Sequence, residues 1–166
     1  MGLLLLILIF CGFAIIGLIV FNNGRERKVF YQSLVQFCSH LNVEITFSKM
    51  QLSQVIAQYQ NSYPSRHFGR MLGNFKELLD KKSDISREAV SEIMWQKLRT
   101  DEQLQISEFL VNLGRHGIKE EVEKLSSAMD FFSTRHKDAT AKFKRESVLA
   151  LKLFIIVGLA CVILLV

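Results

Sequence analysis

Four histidines, His40, His67, His116 and His136, are the side chains best suited to metal binding or proton transfer. Metal ligation from a helix asks for ligands at i, i+3 or i+4, so that both reach one ion. No two of these histidines stand at such a spacing. His136 falls on a hydrophobic seam, where a lone polar side chain reads as a satisfied core or boundary residue. His116 sits in a glycine-flanked turn and reads as a helix-end residue. The three cysteines, Cys11, Cys38 and Cys161, form no Cys-x-x-Cys spacing and no disulfide framework, which suits a reducing compartment. Cys38 shares an apolar face and reads as a small packing residue. No serine or cysteine is set beside an activating base in a recognised pattern. Gly69, Gly73, Gly114 and Gly117 are scattered, and none is followed by Lys-Ser/Thr as a phosphate loop requires. The expectation is a chain that is not an enzyme, with no catalytic, metal or cofactor site.

Recognition by charge is the remaining chemistry. Arg66, His67 and Arg70 cluster where a helix begins and could meet an acidic partner, or form an ordinary solvated face. Arg115, His116 and Lys119 surround a turn at Gly117, which reads either as a contact loop or as a simple connection. Trp95, the single tryptophan, is a core residue or an interface anchor. The net charge of +5 is too small and too dispersed for nucleic acid, and no basic stripe interleaved with stacking aromatics is present.

Two apolar ends must position this polar middle. Hydrophobic residues make up 49% of the chain and charged residues 22%, but they are segregated. Residues 2–21 carry no charge, and residues 148–166 carry one, Lys152, close enough to the polar side to snorkel. Each run of about 19 apolar residues would extend roughly 28 Å as a helix, close to the ~30 Å hydrocarbon thickness. A cleaved signal peptide would need a basic start, a shorter apolar run and a small-x-small site, which residues 1–21 lack. Arg25, Arg27 and Lys28 follow the first run, and Lys142, Lys144 and Arg145 precede the second. By the positive-inside rule, both clusters place the middle in the cytosol. The reading is a transmembrane helix at 1–21, a cytosolic helical bundle at 22–147 and a transmembrane helix at 148–166.

The middle shows helical periodicity only. Phe30, Leu34, Phe37 and Leu41 form one apolar face, in a helix expected to continue from the first span. Ser48 with Gln51, and Thr100 with Gln103, read as capping boxes. Leu52, Val55, Ile56 and Tyr59 mark a second helix, and Phe68, Met71, Leu72 and Phe75 a third, entered through Pro64. Ile85, Ala89, Ile93 and Trp95 to Leu98 mark a fourth. Leu104, Ile106, Phe109, Leu110 and Leu113 mark a fifth, stopping at Gly114. Ile118, Val122, Leu125, Met129, Phe132, His136, Ala139 and Phe143 alternate by four and three. This is a narrow heptad seam, and nothing after it breaks the helix before the C-terminal apolar run. The fold class is all-α: a six-helix bundle between N- and C-terminal transmembrane helices, the last helix continuous into the membrane.

This layout resembles the stage III sporulation protein AB family. The likeness rests on the apolar ends, the basic run 25–28, the stretch 29–44 with its break before Ser48, and the stretch from Glu88-Ala89 to Trp95. It is strongest over 104–123, where Phe109 and Leu113-Gly114 match the family's Leu-Gly turn. His116-Gly117 stands where a Ser-Asp cap is expected, and Glu121 where a glutamine is expected. The resemblance implies a soluble domain similar to the cytoplasmic six-helix domain of the type II secretion inner-membrane platform protein. It implies an assembly between mother cell and forespore, with the domain on the mother-cell side of the outer forespore membrane. The implied partners are membrane lipid, a secretion-type ATPase (stage III sporulation protein AA) and other membrane components of the same complex; a homo-oligomer is left open. The alternative is a membrane-anchored regulatory or sensor module unrelated to secretion.

Overall fold

A computed structural model describes residues 2–48, 51–81, 85–115 and 117–165; the side chains of 2–6, 9, 48, 162, 164 and 165 are outside that description. Among the described residues all regular structure is helical, without strands. The helices are α1 (Gly2–Val43), α2 (Leu52–Tyr59), α3 (Arg66–Asp80), α4 (Arg87–Glu92), α5 (Thr100–Asn112), α6 (Ile118–Lys142) and α7 (Val148–Leu165). π-Helical turns at Glu44–Ser48 and Phe143–Ser147 follow α1 and join α6 to α7. Two compact units result, one of residues 1–28 with 136–166, the other of 29–135.

In the 29–135 unit, the segment of α1 from Phe30 to Leu41, α2 to α5, and the first part of α6 make six helices. The period-3.6 face of α1 is sealed: Phe30, Leu34, Phe37, Cys38 and Leu41 are fully buried. They meet Val55 and Ile56 of α2, Phe68, Met71, Leu72 and Phe75 of α3, Ile106 and Leu110 of α5, and Leu125 and Phe132 of α6 in the buried set. Phe30, Phe37, Tyr63 and Phe68 pack edge to face, with centroids 5.2 to 6.2 Å apart. A buried polar chain fixes α3 against α1. Ser33 Oγ donates to the Val29 carbonyl (2.9 Å) and accepts from the Ser65 N–H (3.1 Å), while Ser65 Oγ caps α3 by accepting from the Phe68 N–H (3.2 Å). Gly69 allows the closest approach, since a Cβ there would lie 2.8 Å from the Gln60 carbonyl oxygen.

Helix ends differ from the sequence expectation in three places. α2 is capped by Gln51 without a side-chain bond, because Ser48 belongs to the preceding π turn. α5 begins one residue earlier than a Thr100 cap implies. Glu102 reaches back to the Arg99 N–H (3.0 Å), and Gln103 Nε2 donates to the Leu98 carbonyl instead. α4 is short and ends at Glu92, with Ser86 as its cap. Leu98 is buried from the irregular segment beyond it, so its place in the expected pattern recorded burial rather than helix.

The other unit is an antiparallel pair. His136 Nδ1–H donates to the Lys28 carbonyl (3.2 Å), and Phe143 packs on Phe21 at 5.1 Å. A Cβ on Gly24 would collide with Ser147 Oγ, one on Gly17 would lie 3.2 Å from Leu151 and Phe154, and one on Gly158 would lie 3.1 Å from Phe10. Glycine at all three places lets the helices close, as small residues do where helices pair in lipid. The chain stays helical from Ile118 to Leu165, as the expected continuous last helix requires, but the Val148 N–H reaches the Phe143 carbonyl in π register. Outward-facing Ile7, Leu8, Ile15, Ile16, Leu18 and Ile19 on α1, and Leu149, Leu153, Ile156, Leu159 and Ile163 on α7, are exposed. Among the described residues no helix is long and apolar enough to cross a membrane.

Candidate functional site

The turn between α5 and α6 is built by backbone demands. α5 runs out at Asn112, Leu113 is extended, and Gly114 takes φ +78°, a conformation glycine adopts without steric cost. Glu121, in the first turns of α6, folds back so that its Oε1 accepts from the Gly114 N–H at 2.9 Å. Its own N–H donates to the Gly117 carbonyl (2.9 Å). Arg115 is exposed, and its Nη2 donates to the Ile85 carbonyl (3.2 Å), tying the turn to the segment before α4. Lys119 is exposed on the first turn of α6. His116 lies outside the described residues. Beneath the turn is a cavity of about 150 Å³ lined by Glu108, Phe109, Asn112, Leu113, Glu121, Lys124 and Leu125.

The second predicted cluster divides. Arg66 and Arg70 are exposed at the start of α3, but half-buried His67 stacks on Trp95 with ring centroids 4.8 Å apart and planes at 13°. Trp95 in turn lies 5.4 Å from Phe30, so it closes the edge of the core while presenting one face to His67. An arginine pair beside an imidazole–indole stack can accept a carboxylate or an aromatic edge from a partner.

The two basic clusters come together in the 1–28 with 136–166 unit. Lys28 Nζ lies over the Phe143 ring at 5.7 Å, and Gly24 meets Ser147, which sets Arg25, Arg27 and Lys28 at the same level as Lys142, Lys144 and Arg145. Arg25, Lys142, Lys144 and Arg145 are exposed, whereas Arg27 and Lys28 are partly covered.

Burial pushes the Cys38 thiol up to about 12, against the opposing backbone hydrogen bond. Tyr63 is raised, chiefly by burial, and His40 Nδ1 pairs with its hydroxyl at 3.2 Å. Tyr59, stacked on His40 at 4.5 Å, is raised above all by its hydrogen bond to Glu44 (2.9 Å). The described residues contain no group of three His, Cys, Asp or Glu that could hold a metal.

The resemblance rested on the apolar ends, the basic run 25–28 and the stretches 29–44 and 104–123. The family model described as stage III sporulation protein AB matches residues 2–166. The chain belongs to that family. No curated protein and no solved structure matches it. The Leu113-Gly114 turn just described is where the resemblance was strongest, and Glu121 closes it. Sequence reading picked out the turn's exposed cations but not Glu121 as its organiser. The available signal was an acid in the first turns of a helix, four residues after Gly117.

Proposed function

We propose that this stage III sporulation protein is a non-enzymatic platform subunit of the transenvelope complex between mother cell and forespore. Its apolar ends cross the outer forespore membrane as a two-pass anchor. The 29–135 unit lies in the mother-cell cytosol and docks a secretion-type ATPase, stage III sporulation protein AA, alongside other membrane components. The observation that carries this reading is the level at which the basic clusters meet. Lys28 on Phe143 and Gly24 on Ser147 gather six cations into one belt, immediately inboard of helix faces that expose Ile, Leu and Val. Such a belt beside an apolar helix pair is what a headgroup layer on the cytosolic side would stabilise.

The test uses the full chain in lipid nanodiscs and the purified ATPase in its apo, ATP-analogue and ADP states. Co-purification in at least one state supports docking; no association in any state sinks it. Topology is read separately. A cysteine introduced at exposed Ser127, in a chain lacking Cys11, Cys38 and Cys161, should react with an impermeant maleimide only from the cytosolic side. Labelling from the opposite side would overturn the orientation.

A further inference from the structure

Among the described residues of the 29–135 unit, Asn42 Oδ1 and Glu121 Oε2 are buried acceptors without a donor, and Glu121 is the one that lines a cavity. Glu121 is 4% exposed; its Oε1 is bound to the Gly114 N–H, but its Oε2 is buried without a hydrogen-bond partner. A buried carboxylate oxygen left unpaired carries the full desolvation cost of that group. Glu121 is also part of the wall of the α5–α6 cavity. That cavity has a buried floor of Leu113, Glu121 and Leu125 and an exposed rim of Glu108, Asn112 and Lys124. Half-buried Phe109, braced edge-on by Phe132 at 5.3 Å, forms a side. A water needs about 10–15 Å³ measured this way, so a space of about 150 Å³ admits a group of several atoms.

The charges around it favour a cation. Lys124 is already paired with Glu120 at 2.9 Å, and Glu108 faces Arg87 only at 3.9 Å. This leaves the floor with an unsatisfied carboxylate oxygen and the rim with a loosely paired carboxylate and the Asn112 amide. We propose that this pocket receives the guanidinium of an arginine side chain presented by a partner protein. The aliphatic stem lies against Phe109, Leu113 and Leu125, and one N–H meets Glu121 Oε2. The remaining donors turn to Glu108 and Asn112. A guanidinium suits this better than an ammonium, because it is more weakly hydrated, tolerates apolar walls on its faces and carries five donors in one plane. The assignment rests on the pocket alone and holds whichever protein supplies the arginine.

The full chain, ¹⁵N-labelled in detergent micelles, reports through the Gly114 amide, which is bonded to Glu121. The probes are N-acetyl-arginine methylamide, its uncharged isostere N-acetyl-citrulline methylamide, and the lysine counterpart. The arginine probe should give a saturable Gly114 shift, with a dissociation constant on the order of 1 mM, as befits so small a ligand. The other two should bind about tenfold more weakly or worse. Glu121→Gln retains a carbonyl for Gly114 while replacing the orphan oxygen with a donor, and should weaken the arginine probe by about tenfold. Glu108→Arg, on the exposed rim where folding is not at stake, should weaken it several-fold. No saturable shift, equal binding by citrulline or lysine, or undiminished binding by Glu108→Arg would each overturn the proposal.

Discussion

Cys38 offers a direct test of how the 29–135 unit is sealed. Its thiol is fully buried and titrates at about 12, against an ordinary 9.0. Two consequences follow from that one displacement. At pH 8 the thiolate fraction drops from roughly 10% in an accessible cysteine to roughly 0.01% in the fold, a factor of about 1000 before access is considered. Stability also becomes pH-dependent at the alkaline end. Below pH 9 the thiol is protonated in both states and contributes no slope. Between 9 and 12 the unfolded chain releases a proton that the folded chain keeps, so stability falls as pH rises. The loss amounts to roughly 4 kcal/mol by pH 12. The assay takes the Cys11→Ala, Cys161→Ala chain in detergent and follows thionitrobenzoate release at pH 8, with and without denaturant. Labelling of the folded protein should be slower by about 1000-fold or more. A folded rate within about tenfold of the denatured one would refute the reasoning, since it would mean the thiol is neither desolvated nor shielded. Chemical denaturation from pH 9 to 11 supplies the second readout. Cys38→Ala should flatten the decline in part, Tyr63 contributing in the same direction.

Other perturbations separate the forces at work. Gly24→Ala should destabilise the 1–28 with 136–166 unit by about 1–3 kcal/mol, because its Cβ would sit 3.0 Å from Ser147 Cβ and 3.2 Å from Phe143. Gly12→Ala, with nothing within 4 Å, should leave the thermal midpoint unchanged or raised. Ser33→Ala should cost about 1–3 kcal/mol in urea unfolding by leaving the buried Ser65 N–H without its acceptor; an unchanged midpoint would show that link to be idle. Gly114→Ala should cost about 1–2 kcal/mol from backbone conformation alone, since the nearest atom to its Cβ is 3.7 Å away; Gly114→Asn should recover part of that loss.

What could be read from the sequence was whatever depends on period. Phe30 to Leu41 and Leu125 to Phe132 announced their buried faces because one helical stripe meets one core. Leu98 misled because apolar spacing reports burial, and an irregular segment can bury side chains too. The caps at Arg99 and Glu102 were missed by one residue, since several residues near a helix start can serve and only the backbone chooses. The turn residues Arg115 and Lys119 were legible as exposed charge. The closure of Gly114 by Glu121 was not, because the bond depends on how α6 folds back over the end of α5.

The π turn at Phe143–Ser147 sets a phase. The residues of the last helix that face α1 run His136, Phe143, Ser147, Leu151, Phe154 and Gly158, and the step from Phe143 to Ser147 is four where the alternation of four and three would place a three. The extra residue is absorbed by one wider turn, as π bulges do. Deleting a single residue from 144–146 would let that turn relax to ordinary helix while the residues beyond keep nearly their present facing. Gly158 would still meet Phe10, whereas losing a residue between Val148 and Gly158 would rotate it away by about 100°. The wider turn is therefore where the length of this helix is most freely changed: losing one residue there should be borne far better than losing one from α7.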